Sequence, residues 1–340
     1  MRTYQCRVSG HPLYLENTVC LGCGTPQAYS RAEREIVPVR PEGEREAGRD
    51  GGRGASYVDP QGTAWWPCAD VALNGCTWLA PADGALCESC ALTRTRPNDA
   101  DLEGLGLYAE TERAKRQLLV ELDARGVRWV PRTEDPETGL CFDLLSSRAE
   151  DVVIGHADGV VTIDLAESHD AYREKVRMRL GEPYRTMLGH LRHETGHYVE
   201  GLHVLGDEER TRRVRALFGD DRADYQAEID RHYAEGPPDG WEASYISEYA
   251  TMHPYEDFAE TFAHFLHISD TLETALEQGL LPAGTDLSGP FGRVVVDVWV
   301  PLSIALNQVE RSMGKPDLYP FVLAAPVVDK LDLVAELVTS

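Results

Sequence analysis

Between residues 127 and 166 apolar and polar residues alternate in short runs, and longer periodic patterns follow. Alternation with a period of two is typical of half-buried strands, whereas apolar residues three and four apart mark one face of a helix. The first pattern predicts a small sheet with strands at 127–130, 140–145, 152–155 and 159–166. The second predicts helices at 169–180, 183–203, 207–218, 221–235, 242–251, 255–268, 270–278, 291–314 and 326–338.

A long helix is predicted at 101–125, ended by Gly126. The sequence before it is rich in turns and carries every cysteine except Cys141, which is interpreted as a buried apolar residue. Residues 41–56 are charged and rich in glycine, which predicts a flexible loop. The predicted fold class is α+β, with a cysteine-rich module at 1–98, a linking helix at 99–125 and a mainly helical domain with a small sheet at 126–340.

The predicted helix 183–203 carries an H-E-x-x-H sequence in which His193 and His197 are four residues apart. Residues i and i+4 lie on one helix face, so two imidazoles can bind one metal ion, and Glu194 then faces the water that the metal polarises. Zinc bound by two histidines and a third protein ligand keeps one position for water, whose pKa falls to roughly 7. This pattern is typical of a metal-dependent hydrolase.

The context favours a metal site over a surface helix with two solvated histidines. Leu188, Leu191 and Tyr198 have the spacing of a half-buried helix face. Gly196 costs about 1 kcal/mol relative to alanine inside a helix. Its presence between the histidines indicates that another backbone or a substrate approaches closely there.

The third ligand is predicted in the helix 255–268, where Glu256 and Glu260 repeat at i, i+4. The pair is similar to the gluzincin arrangement, in which one carboxylate binds zinc and the other accepts the outer N–H of a metal-bound histidine. Ala259 and Ala263 are small enough for close packing against the first helix, although an ordinary acidic helix face has the same pattern. Glu256 is predicted as the ligand and Glu260 as its outer neighbour, with the two roles open to exchange.

His203 is a rival third ligand because it follows His197 by six residues, the metzincin spacing. The metzincin motif needs a glycine three residues after the second histidine so that the chain can turn. Glu200 occupies that position here, and Gly201 comes one residue late. His203 is therefore the less favoured ligand.

Several longer stretches carry further motifs: GEPYRTMLGH at 181–190, HETGHY at 193–198, LFGD at 217–220, ATMHP at 250–254 with EDFAET after it, and DTLETA at 270–275. Together they resemble a bacterial family of zinc-binding metallopeptidases that carry an N-terminal zinc ribbon. The resemblance implies a cytoplasmic, zincin-like peptidase whose motif residues are His193, Glu194, His197, Glu256 and Glu260. It covers most of the chain up to about residue 280.

The N-terminal cysteines are interpreted as ligands of structural zinc, because disulfides are rare in cytosolic proteins. One set comprises Cys68, Cys76, Cys87 and Cys90, beside Asn-Gly and Asp-Gly turns. The alternative is four small buried residues without a metal. Sites of this kind use all four positions for protein ligands, so they serve as scaffolding or for partner recognition.

The other set is incomplete. Cys6, Cys20 and Cys23 supply three thiolates, but Ser9 stands where the family has its fourth cysteine. His11 is a candidate for the missing ligand, and an incomplete site is the alternative.

Charge and hydropathy restrict the function further. Acidic residues exceed basic ones by 57 − 33 = 24, which argues against nucleic acid as a partner and favours basic ligands. No apolar run approaches the ~20 residues of a membrane span, and the N-terminus does not resemble a secretory signal. We expect a soluble cytoplasmic protein with no membrane partner.

The predicted function is hydrolysis of peptide bonds in a peptide or protein substrate, with Glu194 as general base and zinc as cofactor. Tyr249 is the favoured donor to the developing oxyanion, with Tyr245 behind it, although aromatic packing explains both tyrosines equally well. The strand at 160–164 is a candidate sheet edge for binding an extended peptide. The alternative function is a zinc-ribbon adaptor that binds a protein partner and carries a vestigial or latent peptidase domain.

Overall fold

The computed structural model describes residues 2–41, 54–147, 152, 154–168 and 186–339, and the predicted helix 169–180 lies outside them. Within these ranges the fold is α+β, as predicted: a cysteine-rich N-terminal part precedes a mostly helical part with a small sheet. Contacts divide the chain into two compact units. The first comprises residues 1–120, 141–153 and 162–166, and the second comprises 121–140, 154–161 and 167–340.

The first unit begins with short antiparallel strands connected by tight turns. Strands β1 and β2 form one hairpin, β3 and β4 form another, and β5, β6 and β7 form a three-stranded sheet. The bounds are β1 Tyr4–Gln5, β2 Pro12–Leu13, β3 Gln27–Ser30, β4 Glu35–Pro38, β5 Tyr57–Val58, β6 Ala64–Pro67 and β7 Leu79–Ala80, with short helices α1 Val71–Asn74 and α2 Glu88–Ala91.

The predicted linking helix is a single helix, α3 (Leu102–Arg125). Gly126 ends it with a φ of 73°, in the left-handed region that glycine adopts without steric cost. In the first unit Arg116 of this helix is only 1% exposed. Its guanidinium donates to both carboxylate oxygens of Glu16, at 2.8 and 2.9 Å. This bidentate ion pair fixes the helix against the N-terminal strands.

The remaining strands form a four-stranded sheet in the order β10-β11-β9-β8. Two sequence predictions about this sheet are wrong. Residues 127–130 form no strand: the Val130 carbonyl accepts from the Leu140 N–H at 2.8 Å, but the Val130 N–H donates to the Tyr198 hydroxyl, and the pairing there is an isolated bridge between Pro131 and Leu140. Strand β11 is not an edge, because β10 and β9 flank it, and β10 is the edge strand on that side. The bounds are β8 Thr93–Thr95, β9 Cys141–Leu145, β10 Gly155–Ala157 and β11 Val160–Asp164.

Helices make up most of the second unit, and two of them differ from the prediction. No long helix covers 242–251: the segment has 3₁₀ turns, and the Ser247 hydroxyl accepts from the Ala250 N–H at 3.1 Å, a local bond that competes with helix formation. The segments 255–268 and 270–278 are one continuous helix. The helices are α4 Met187–His203, α5 Glu208–Phe218, α6 Tyr225–Glu235, α7 Pro254–Glu277, α8 Phe291–Val294, a π-helical segment Val295–Trp299, α9 Val300–Ser312 and α10 Ala325–Thr339.

Helices α4 and α7 pack backbone against backbone. A Cβ placed on Gly196 of α4 would lie 2.9 Å from the Ala259 Cα and 3.2 Å from the Phe262 ring of α7. Ala263, one turn further along α7, is buried as well. The small residues predicted to permit this approach therefore do so, and the histidines on either side of Gly196 are held next to α7.

No helix within the described ranges combines the length and hydrophobicity that crossing a membrane requires.

Candidate metal centre

Helix caps determine where the histidines and carboxylates lie along α4 and α7. Thr186 caps α4, its hydroxyl accepting from the Gly189 N–H at 2.9 Å. His253 caps α7, its ring accepting from the Tyr255 N–H at 3.0 Å, and Pro254 follows at the first helical position. The predicted start of α4 at residue 183 falls outside the described residues.

Three predicted ligands come together between these helices. The Nε2 atoms of His193 and His197 lie 3.0 and 3.4 Å from the same oxygen of Glu256, Oε2. All three side chains are buried, and their ligand atoms lie within 4.8 Å of one another. Zinc–ligand bonds of 2.0–2.1 Å in a tetrahedron place nitrogen and oxygen ligands about 3.3 Å apart. The donor types and their spacing therefore fit a zinc ion.

Glu260 lies behind His193. Its Oε1 accepts from the His193 Nδ1–H at 2.8 Å, and its Oε2 accepts from the Ser247 hydroxyl at 2.7 Å. Burial raises the pKa of Glu260, but the hydrogen bond from His193, the electrostatic interaction with the His193 and His264 rings and the Ser247 hydroxyl lower it to about 2. Glu260 is thus an ionised acceptor that orients the His193 ring so that Nε2 faces Glu256.

Glu194 is buried on the same helix, next to His193. Its Oε1 accepts from the His190 Nε2–H at 3.1 Å, whereas Oε2 has no hydrogen-bond partner among the described residues. Burial raises the pKa of Glu194, but the His190 hydrogen bond and the neighbouring histidines lower it below its ordinary value. One carboxylate oxygen is therefore available to a water molecule.

Two tyrosines that were not predicted contact the ligands. The Tyr225 hydroxyl donates to Oε1 of Glu256 at 2.6 Å. The Tyr255 ring stacks on His197, with centroids 3.9 Å apart and planes inclined by 19°. Burial and the Glu256 carboxylate raise the pKa of Tyr225, so its hydroxyl stays a donor.

The predicted oxyanion donors lie in different surroundings. The Tyr249 ring is edge-on to His193, with centroids 5.6 Å apart, and burial raises the pKa of its hydroxyl well above the ordinary value. The Tyr245 ring instead lies 4.4 Å from Nζ of Lys330. Of the two, Tyr249 is the one whose ring meets a ligand histidine.

Two other histidines, His203 and His264, form hydrogen bonds with groups outside the predicted ligand set. Nε2 of His203 bonds the Arg128 carbonyl at 3.0 Å, and His203 is not part of the ligand group. Nδ1 of His264 bonds the Tyr319 hydroxyl at 2.8 Å.

The cysteines of the first unit form a second candidate site. Four thiols, those of Cys68, Cys76, Cys87 and Cys90, lie within 4.8 Å of one another and are buried. Sγ of Cys68 accepts from the Cys87 N–H at 3.3 Å, and Sγ of Cys87 accepts from the Cys90 N–H at 3.5 Å. The sulfurs of Cys76 and Cys87 are 3.5 Å apart, close to the about 3.8 Å that Zn–S bonds of 2.3 Å require. These residues, Cys68, Cys76, Cys87 and Cys90, fit a closed tetrahedral zinc site.

The incomplete cysteine set also comes together. Cys6, Cys20 and Cys23 have their sulfurs within 4.8 Å of one another, and those of Cys6 and Cys23 are 3.8 Å apart. His11 is not in this group, and its Nδ1 lies 3.2 Å from the Ser9 hydroxyl. Cys141 is 4% exposed in β9.

Sequence spacing could have indicated only some of the unpredicted residues. His190 precedes Glu194 by four residues, so its contact follows from helix periodicity. Tyr225 and Ser247 come from other segments of the second unit, and no spacing in the sequence connects them with the ligands.

The fold agrees with the comparisons to known proteins. The chain belongs to the family described as "Putative zinc-binding metallo-peptidase", which matches residues 105–337, and a zinc-ribbon domain matches residues 3–101. The chain is similar to "Uncharacterized protein Rv2568c" of Mycobacterium tuberculosis and "Uncharacterized protein Mb2598c" of Mycobacterium bovis. Each is 44% identical over 98% of this chain and 94% of the relative. No solved structure matches the chain.

Proposed function

We propose that this protein is a zinc-dependent peptidase, with His193, His197 and Glu256 as the ligands of the catalytic zinc. The observation that supports this most is the convergence of three zinc-type ligand atoms within 4.8 Å, next to the buried carboxylate of Glu194. When bound there, zinc supplies a Lewis acid that lowers the pKa of a water molecule and polarises a carbonyl group.

In this proposal Glu194 handles the proton. Its Oε2 accepts a proton from water and then delivers it to the nitrogen of the leaving amine. His190 holds the other oxygen at 3.1 Å and so orients the carboxylate. The Tyr249 hydroxyl, which stays protonated, donates a hydrogen bond to the oxygen of the scissile carbonyl.

The proposed substrate is a peptide or protein that carries basic residues. The net charge of −24 attracts cations and repels anions, so it raises the local concentration of basic peptides. The protein is proposed to bind one catalytic zinc ion and one structural zinc ion in each cysteine set. The ribbon is a candidate site for a protein partner.

The test is digestion of an unbiased peptide library by the zinc-loaded protein, with and without a chelator. Glu194→Gln should keep its zinc and lose cleavage by about 10²-fold or more, because a general base contributes 10²–10⁴-fold. The exposed Glu208→Gln is the matched control and should cleave as the parent does. His193→Ala should contain one zinc fewer by elemental analysis.

The outcomes separate enzyme from adaptor. Cleavage that persists in Glu194→Gln at the parent rate contradicts the assigned mechanism. A zinc-loaded parent that cleaves nothing in the library excludes the peptidase and leaves the adaptor as the function.

A further inference from the structure

The first cysteine site is built from two turns that repeat each other. In one turn the Gly10 N–H bonds the Cys6 carbonyl, and in the other the Gly24 N–H bonds the Cys20 carbonyl, both at 2.8 Å. The two glycines have nearly the same left-handed φ, 71° and 74°. Within this repeat, the position equivalent to Cys23 in the second turn is Ser9 in the first.

The Ser9 hydroxyl lies beside this group of three sulfurs. Its Oγ is 3.4 Å from Sγ of Cys20, and the sulfurs of Cys6, Cys20 and Cys23 lie within 4.8 Å of one another. In a tetrahedral site with Zn–O and Zn–S bonds of about 2.1 and 2.3 Å, oxygen and sulfur lie about 3.6 Å apart, so the distance to Cys20 fits Ser9 Oγ as the fourth corner. Backbone repetition and side-chain contacts therefore point to the same atom independently.

His11 occupies a different place. Its ring packs on the second turn: a Cβ placed on Gly22 would lie 2.3 Å from the ring carbon Cγ and from Nδ1. Nδ1 faces the Ser9 hydroxyl at 3.2 Å rather than the thiols. In the tautomer with its proton on Nε2, the His11 ring accepts the Ser9 O–H and leaves the lone pairs of Oγ directed at the sulfurs.

We propose that Ser9 Oγ is the fourth ligand of this site and that His11 is a positioning residue that acts through Ser9. Because a hydroxyl is a harder, weaker donor to zinc than a thiolate, the site binds zinc less tightly than the four-cysteine site. Ser9, His11 and Cys23 are exposed, whereas the four cysteines of the other site are buried. The first site is thus the exchangeable zinc site of this ribbon, and this inference does not depend on peptidase activity.

The experiment follows zinc transfer from the full-length, zinc-loaded protein to a chromogenic chelator. Cys20→Ser identifies the release phase of this site, because it removes a thiolate from this site alone. Ser9→Cys should slow zinc release in that phase to the rate at which the four-cysteine site releases its zinc. This gain in affinity cannot result from misfolding.

Loss variants then separate the two side chains. His11→Ala should weaken zinc affinity by about tenfold, the usual effect of removing a group that orients a ligand. Ser9→Ala should weaken it more, and Ser9→Ala/His11→Ala should be no weaker than Ser9→Ala. Cobalt bound in place of the released zinc should change its d–d spectrum in Ser9→Cys and keep it in His11→Ala.

Three results would overturn the proposal. If His11→Ala removes the phase while Ser9→Ala preserves it, His11 is the ligand. An unchanged release rate in Ser9→Cys excludes position 9 from the site. Equal zinc release by the parent and Cys20→Ser shows that no zinc is held by these residues.

Discussion

At the scale of single residues, the two carboxylate oxygens of Glu256 have different partners. One oxygen faces the histidine nitrogens and the other accepts from Tyr225. A carboxylate held in this way presents a single oxygen to a metal, and the tyrosine hydroxyl prevents it from rotating. Residues that orient ligands typically change metal affinity 10–100-fold when they are removed.

We therefore predict that Tyr225→Phe weakens zinc binding at the centre by about tenfold. Chelator competition measures the affinity. Tyr233→Phe, which changes an exposed tyrosine on the same helix, is the matched control and should bind zinc as the parent does. Equal affinities in the two variants would show that the Tyr225 hydrogen bond contributes nothing to the site.

The placement of the predicted ligands could be anticipated from the sequence because their geometry is local. His193 and His197 share one turn of helix, and Glu256 and Glu260 share another, so helix periodicity places each pair on one face. The orienting groups could not be predicted in the same way. Ser247 reaches Glu260 from the segment between two 3₁₀ turns, and Tyr225 reaches Glu256 from the start of another helix.

At the scale of elements, the centre depends on how closely α4 and α7 approach. In an exposed helix, changing glycine to alanine stabilises by about 1 kcal/mol. At Gly196 the added methyl would meet the backbone of α7 at 2.9 Å, and a packed backbone cannot move aside as a flexible side chain can.

We predict that Gly196→Ala destabilises the protein by about 1–3 kcal/mol, the usual cost of overpacking, and lowers the zinc content of the centre. Urea unfolding and elemental analysis measure the two effects. Gly201→Ala, on the same helix with open space around the new methyl, should instead be neutral or stabilising. A stable, fully loaded Gly196→Ala protein would contradict the close-packing argument.

Sequence patterns predicted the linking helix and most helices of the second unit to within a few residues, because their apolar faces are long and regular. They failed where a side chain replaced a backbone partner. The Val130 N–H donates to the Tyr198 hydroxyl rather than to a strand, and the Ala250 N–H donates to the Ser247 hydroxyl rather than to a helix carbonyl. The single helix α7 was divided in two because polar Ser269 and Asp270 interrupt the apolar pattern, although Ser269 is buried.

At the scale of the whole molecule, buried histidines make stability depend on pH. His264 and His267 lie among aromatic rings of the second unit, including Trp299 and Tyr319. Burial, together with the positive charge of Arg192, lowers the pKa of His267 to about 3. Burial lowers that of His264 to about 4.

The unfolded chain binds protons on histidine near pH 6.5, so between about pH 6.5 and 4 it binds more protons than the folded protein. Folding stability is therefore predicted to be complete above pH 6.5 and to fall as the pH drops, by about 1.4 kcal/mol per pH unit for each histidine. Urea unfolding at several pH values measures the slope. His267→Phe should reduce the slope by the contribution of one histidine, about 1.4 kcal/mol per pH unit. An unchanged slope would mean that His267 titrates normally in the folded state.

Helix α7 carries Glu256 and Glu260 in its first two turns and continues for four more turns lined by buried residues such as Phe262, Ile268 and Leu272. No hinge separates the carboxylates from this apolar length. Amide protons beside the carboxylates should therefore exchange with solvent only through the openings that disrupt the core. The arrangement of the two carboxylates is thus as stable as the interior of the unit, and the proposed metal centre requires no rearrangement of this helix to bind its ion.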